Sequence, residues 1–205
     1  MSTAIAAPFS ESLSLAALVL AGGKSSRMGK DKALIPWRGI PLLQRVYKAA
    51  ATCCQQVYVC TPWPQRYQNI LPEDAQFLSE EATPGQGPLV ALSQGLTQIS
   101  APWILLLACD LPRLEPILLR QWAMQLNQVP ETVLALVPRQ LTQWEPLCGF
   151  YRREAQLPLQ QFIQQGGRCF QTWLVEIPVQ PLPVDKQVAR MLWNCNRPED
   201  LSESS

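Results

Sequence analysis

Residues 15–32 read LAALVLAGGKSSRMGKDK, and the order of these residues decides the fold. Leu15 to Leu20 is a continuous apolar run, the composition of a strand buried on both faces. Gly22 and Gly23 end it, and glycines there allow a tight turn that brings bare backbone N–H groups close to an anion. Lys24, Arg27, Lys30 and Lys32 then place four cations within nine residues. A strand, a glycine turn and a cationic loop together make a polyphosphate cradle. Strand-Gly-Gly alone is an ordinary turn, and a cationic loop alone is a solvated face. It is their combination, with Gly29 and Asp31 in register, that points to phosphate.

Two familiar phosphate motifs are excluded by spacing. A Walker A loop needs four residues between its glycines and a hydroxyl after its lysine. Here five residues separate Gly23 from Gly29, and Asp31 stands where the hydroxyl belongs. The dinucleotide fingerprint G-x-G-x-x-G does not occur in the run.

Outward from this stretch, strand-like and helix-like segments alternate, the pattern of a mostly parallel sheet with helices on both faces. Strands are expected at 57–60, 76–78, 103–109, 133–137 and 147–151. Helices are expected at 41–54, 87–99, 117–126 and 157–165, the last stopping at Gly166-Gly167. Leu174 to Ile177 and Val184 read as late edge strands, with Pro178, Pro181 and Pro183 keeping that stretch irregular. Residues 1–14 are small and polar and read as a disordered tail. No internal repeat or linker divides residues 15–205, so a single domain is expected.

Composition excludes several classes of function. The chain has 205 residues, with 17 Lys plus Arg against 16 Asp plus Glu, so it carries no basic surplus suited to nucleic acid or a membrane surface. It contains no histidine, which rules out Ser-His-Asp catalysis and His-ligated zinc. Any metal should be a hard ion held by carboxylates and phosphates, magnesium or manganese. Seven cysteines without C-x-x-C spacing fit reduced thiols and a cytoplasmic location. The apolar run 13–20 lacks preceding Lys or Arg, has Glu11 upstream, and is too short to span a bilayer.

Asp110 is the candidate metal ligand. It follows the unbroken apolar run Trp103–Cys109, and in an open α/β sheet ligands bind beyond the carboxyl ends of the strands. An Asp that only caps the following turn is the alternative.

The run Leu20–Lys32 resembles the signature L-A-G-G-x-S-x-R-M-G-x-D-K of sugar-nucleotide-type nucleotidyltransferases. It matches the fixed positions of the branch that makes the molybdenum cofactor dinucleotide, and the resemblance to the molybdenum cofactor guanylyltransferase family continues along almost the whole chain. Cys109-Asp110-Leu111-Pro112 resembles that family's metal motif, and Gly87-Pro88-Leu89 its base-pocket turn. Glu145-Pro146-Leu147 followed by Tyr151 resembles its P-[LT]-x-x-x-Y strand. Gln165-Gly166-Gly167-Arg168 resembles its helix end followed by a basic residue. Asn194-Cys195-Asn196-Arg197-Pro198-Glu199-Asp200-Leu201 resembles its closing N-x-N-x-P-x-D-L.

The resemblance implies a Rossmann-like fold of the nucleotide-diphospho-sugar transferase type. Residues 15–130 would form a nucleotide-binding half and 131–205 an acceptor-binding half. It implies transfer of GMP from GTP to the terminal phosphate of molybdenum-bearing molybdopterin, with transient contact to a cofactor-delivering protein and a recipient molybdoenzyme. Arg27, Lys32 and Asp110 become the catalytic candidates, with Asp110 on the metal. Leu20, Ala21, Gly22, Gly23, Lys32, Glu80 or Glu81, Gly87, Pro88, Leu89 and Asp110 become nucleotide contacts. Asn194, Asn196 and Arg168 become acceptor contacts, and replacing the two asparagines is expected to spare nucleotide binding. An Asn that the family often carries after the second strand is missing; Cys60-Thr61 stands there. Alternative readings are cytidylyl transfer to molybdopterin or an isoprenoid precursor, a nucleotide-binding regulator without turnover, and a P-loop phosphohydrolase, which the spacing already disfavours.

Overall fold

The computed structural model describes residues 14–22, 31–78, 87–196 and 200. The expected tail, apart from Ser14, lies outside the described residues, as do Gly23, Lys24, Arg27, Lys30, Glu80 and Glu81.

In chain order the elements are β1 (Leu15–Leu20), β2 (Pro36–Trp37), β3 (Ile40–Pro41), α1 (Leu42–Ala50), β4 (Gln56–Cys60), β5 (Gln76–Leu78), α2 (Pro88–Gln98), β6 (Trp103–Ala108), α3 (Pro116–Gln125), β7 (Ala135–Gln140), β8 (Gln143–Trp144), β9 (Cys148–Arg152), α4 (Gln156–Gln164), α5 (Phe170–Glu176), β10 (Val179–Pro183) and α6 (Lys186–Met191). The main sheet runs β10-β7-β9-β6-β1-β4-β5, with β8 paired to the far end of β7. β6, β1, β4 and β5 are mutually parallel, and β9 runs antiparallel between β6 and β7. The small hairpin β2-β3 stands apart.

β1 and β6 form the centre because both of their faces are apolar. Every residue of β6 is buried. Leu15, Ala17 and Val19 of β1 face a core built with α1, α3 and α6. Ala16 and Leu18 face the opposite core, built with α2, α4 and α5. The alternation follows from the two-residue period of a strand. Each large side chain buried in this way contributes about 1.5–3 kcal/mol. Two glycines set helix ends. Gly87 holds φ +94° immediately before α2, and Gly166 holds φ +90° just past Gln165, the C-cap of α4. At the latter, Gly167 N–H donates to the Phe162 carbonyl and Gly166 N–H to that of Ile163, which closes the helix as a Schellman turn.

The strands expected at 133–137 and 147–151 correspond to β7 and β9, which pair through Ala135 with Tyr151 and Leu136 with Phe150. The late segment differs from expectation. Leu174 to Glu176 is the end of helix α5, because Phe170, Trp173 and Leu174 recur at helical spacing and bury against the sheet while Val175 faces solvent. The edge strand lies further on, at β10, parallel to β7, and includes two of the prolines thought to disrupt it. Pro181 and Pro183 are two apart, so both turn their missing N–H toward the open edge, where no ladder bond is lost. The helix expected over 41–54 is regular only to Ala50, and Cys53 lies in the turn after it. Among the described residues no helix is long and apolar enough to cross a membrane.

Candidate active site at the carboxyl edge of the sheet

Parallel pairing brings the carboxyl ends of β1, β4 and β6 side by side, with Leu20 opposite both Cys60 and Ala108. Backbone bonds continue just past the strands: Ala21 N–H donates to Cys60 O, and Cys109 N–H to Leu20 O. Leu20 and Ala21 therefore abut the segment that delivers Asp110, and Gly22 is the last described residue before the cationic loop.

Asp110 meets Lys32 at this edge. Lys32 leaves a 3-10 turn, Lys32–Leu34, capped by Asp31, whose Oδ1 accepts from Ala33 N–H at 3.1 Å. Lys32 Nζ donates to Asp110 Oδ2 at 2.7 Å and to Asn196 Oδ1 at 2.9 Å. One ammonium thus joins the cationic loop, the central strand and the C-terminal segment. Asn196 N–H donates to Asp200 Oδ2, and Cys195 N–H donates to the Asp110 carbonyl at 2.9 Å. The expectation that the asparagines form a site separate from the nucleotide side is modified by this geometry, since Asn196 shares a lysine with Asp110.

The C-terminal segment is held in place by its own small core. Cys195 is buried with Ile35, Trp37 and Leu42, and Trp193 packs on Trp37 with ring centroids 5.7 Å apart. The Arg113 guanidinium lies 4.3 Å from the Trp193 ring centroid. Asn194 sits between Trp193 and Cys195, inside this anchored stretch.

Asp110 offers one test of whether a metal fits. Its Oδ1 is buried and has no hydrogen-bond partner among the described residues. A buried carboxylate oxygen without a donor is costly, and a hard divalent cation is the kind of group that would satisfy it. Among the described residues no three acidic or cysteine side chains gather as a protein cage. A metal held here would draw its remaining ligands from phosphate and water, the usual arrangement for magnesium.

The other expected contacts are placed as follows. Gly87, Pro88 and Leu89 open α2, and Leu89 is buried against the face containing Leu18. Arg168 donates from Nη1 to the Ile163 and Gly167 carbonyls, where a cation complements a helix C-terminus. No contact joins it to Lys32, Asp110 or Asn196 among the described residues. Thr61, where the family's Asn is missing, is fully buried and accepts from Trp63 N–H through its hydroxyl. All seven cysteines are free thiols. Burial, reinforced by the neighbouring Asp110 carboxylate, pushes the Cys109 thiol up to about 12, which keeps it neutral beside the site.

Sequence reading missed three participants. Tyr67 donates to Asp31 Oδ2 at 3.0 Å and lies 3.3 Å from the Ala21 carbonyl. Trp193 and Arg113 anchor the asparagine segment. Arg113 follows Pro112 directly, and its closeness to Asp110 in sequence was the one available signal.

The chain is similar to known proteins over most of its length. The family model described as the MobA-like NTP transferase domain matches residues 17–177. A probable molybdenum cofactor guanylyltransferase of Trichormus variabilis is 52% identical over 188 residues, 92% of this chain and 89% of that protein. One of the same description from Synechococcus elongatus is 47% identical, covering 92% and 96% respectively. The crystal structure of molybdopterin-guanine dinucleotide biosynthesis protein A from Archaeoglobus fulgidus superposes with a TM-score of 0.76 at 21% identity, covering 92% of this chain and 96% of its own, and so shares the fold. With the model matched over residues 17–177 and relatives as close as 52% identical, the chain belongs to the MobA-like NTP transferase family.

Proposed function

We propose that this protein transfers GMP from GTP to the terminal phosphate of molybdenum-bearing molybdopterin and releases pyrophosphate. The observation that carries the reading is the junction of Lys32, Asp110 and Asn196, which unites the phosphate-loop side and the C-terminal segment at one ammonium. The names of the curated relatives support the same substrates.

An oxygen of the acceptor phosphate attacks the α-phosphorus of GTP. A new P–O bond forms, the bond to the α,β-bridging oxygen breaks, and pyrophosphate leaves with that electron pair. A phosphate monoester is already an anion at neutral pH, so no strong general base is required, consistent with a chain that lacks histidine. Catalysis is then positioning and charge stabilisation. Lys32 turns its ammonium toward the reacting oxygens, and Arg27 adds a second cation. Leu20, Ala21, Gly22 and Gly23 are assigned to bind the nucleotide. Glu80 or Glu81 and the Gly87-Pro88-Leu89 turn take the ribose and base side. Asn194, Asn196 and Arg168 face the pterin, whose edges both donate and accept, as Asn amides do. Asp110 would hold magnesium or manganese through Oδ1, and such an ion, when bound, neutralises phosphate charge. The protein works in the cytoplasm and meets its cofactor-delivering and cofactor-receiving partners only transiently.

The test is pyrophosphate release from each nucleoside triphosphate, with and without molybdenum cofactor. Release that depends on both GTP and the acceptor is expected. Binding without release would indicate a regulator, and phosphate release without acceptor a hydrolase.

A further inference from the structure

Tyr67 is 1% exposed, yet its hydroxyl is fully engaged. It follows the 3-10 turn Pro64–Arg66 beyond β4 and reaches back to the site. Its oxygen lies 3.0 Å from Asp31 Oδ2 and 3.3 Å from the Ala21 carbonyl. Burial, and after it the bond to Asp31, push the phenol up, so it stays protonated and remains a donor at neutral pH.

Asp31 uses both carboxylate oxygens. Oδ1 caps Ala33 N–H, and Oδ2 takes Tyr67 together with Arg66, whose Nη1 lies 3.5 Å away. Arg66 is steadied by Trp63, whose ring centroid is 4.4 Å from its guanidinium. Thr61 in turn accepts from Trp63 N–H. The segment 61–67 is therefore a bracket closed on one carboxylate, and the next residue after that carboxylate is Lys32. A phenylalanine would fill the same space without the bonds of the hydroxyl to Asp31 and Ala21, so packing alone does not account for the hydroxyl.

We propose that Tyr67 is a positioning residue: through Asp31 it fixes the 3-10 turn from which Lys32 reaches Asp110 and the reacting phosphates. The inference rests on the role assigned to Lys32 above. Lysine is long and flexible, and its reach is set by the backbone that launches it. If Asp31 loses the phenol it can rotate off Ala33 N–H, the turn frays, and Nζ leaves its place 2.7 Å from Asp110. Misplacement of about 1 Å in such a group can cost up to about a hundredfold in rate. A partial loosening, with Arg66 still in place, is expected to cost about tenfold, the equivalent of one hydrogen bond to a charged group.

The test compares Tyr67→Phe, Asp31→Ala and the double variant. Three readouts are taken: kcat with GTP and acceptor, melting temperature without ligands, and hydrogen exchange of the Ala33 amide. Tyr67→Phe should lower kcat about tenfold, leave the melting temperature nearly unchanged, and speed exchange at Ala33. In the Asp31→Ala background the same change should alter kcat by less than about twofold, because the phenol acts through the carboxylate that is already gone. The inference is overturned if Tyr67→Phe leaves kcat and Ala33 exchange as in wild type. It is also overturned if the two substitutions multiply, or if the rate loss disappears on cooling along with a lowered melting temperature. Should the wild-type chain transfer no nucleotide at all, the proposed function fails, and Ala33 exchange alone still decides whether Tyr67 holds the turn.

Discussion

Lys32 Nζ and Asp110 Oδ2 lie 2.7 Å apart although 78 positions separate them in the chain, and less than a fifth of either side chain is exposed. The pair couples the end of the central strand to the segment that follows the phosphate loop. It leaves Asp110 Oδ1 without a donor among the described residues. The two oxygens of one carboxylate thus differ: Lys32 holds one, and the other is the one proposed to take a metal ion.

Asp110→Asn follows from this division. The amide keeps an oxygen for Lys32 but loses the charge that a divalent ion needs. Removing one well-placed electrostatic group costs about two to three orders of magnitude in rate. Turnover in magnesium should fall by that much with little change in melting temperature, measured by pyrophosphate release and calorimetry. Near-normal turnover would remove Asp110 from the site.

Lys32→Ala should harm nucleotide affinity and rate together. A charge-assisted hydrogen bond to phosphate is worth about 1.5–3 kcal/mol. Titration with GTP and steady-state kinetics check this. Values within about twofold of wild type would make Lys32 a surface cation.

Asn194→Ala and Asn196→Ala should behave differently, although both sit in one motif. Only Asn196 accepts a bond from Lys32. Its loss should raise KM for both GTP and acceptor by about threefold or more, whereas Asn194→Ala should affect the acceptor alone. Separate titrations of the two substrates distinguish them, and identical profiles would show that the shared lysine is without consequence.

Burial holds the Glu145 carboxyl above its usual value. A raised acid gives a contribution to stability that is present below its unfolded pKa near 4.5 and is lost as pH rises through the higher folded value. Glu145→Gln should therefore match wild type in melting temperature near pH 4 and exceed it near pH 7. A difference that stays constant across that range would contradict the assignment.

Cys169 is the exposed thiol of the seven, and the polar groups of Thr172 and Gln171 at the start of α5 favour its thiolate and lower its pKa. Limited alkylation should modify Cys169 first, read by peptide mass mapping. Earlier modification of Cys109 or Cys195 would show that the carboxyl edge opens more than this structure does.

Much of this was legible in the sequence because it rests on short-range patterns. The strand at Leu15–Leu20, the continuous apolar run of β6 and the Gly-Pro start of α2 announce themselves by period and composition. The position of Asp110 was legible because the apolar run of β6 ends there, and in an open α/β sheet strand ends face the crevice. What could not be read was contact across the chain. The run 174–177 taken alone reads as a strand; the helical spacing of Phe170, Trp173 and Leu174 becomes decisive only once the sheet that buries them is in place. Tyr67 reads as an ordinary buried aromatic until Asp31 is brought 3.0 Å from its hydroxyl. Likewise Asn196 reads as a turn former until Lys32 arrives from 164 positions away.

The measurement that bears most directly on the account is product analysis with GTP, CTP and ATP in competition at limiting enzyme, with purified molybdenum-bearing molybdopterin as acceptor. A pocket matched to guanine leaves its own polar groups unpaired when another base enters, which is how large discrimination arises. The account predicts the guanine dinucleotide as the main product, one pyrophosphate released for each, and loss of both in Asp110→Asn. Faster incorporation of CMP than GMP, or pyrophosphate release that does not depend on the acceptor, would contradict it.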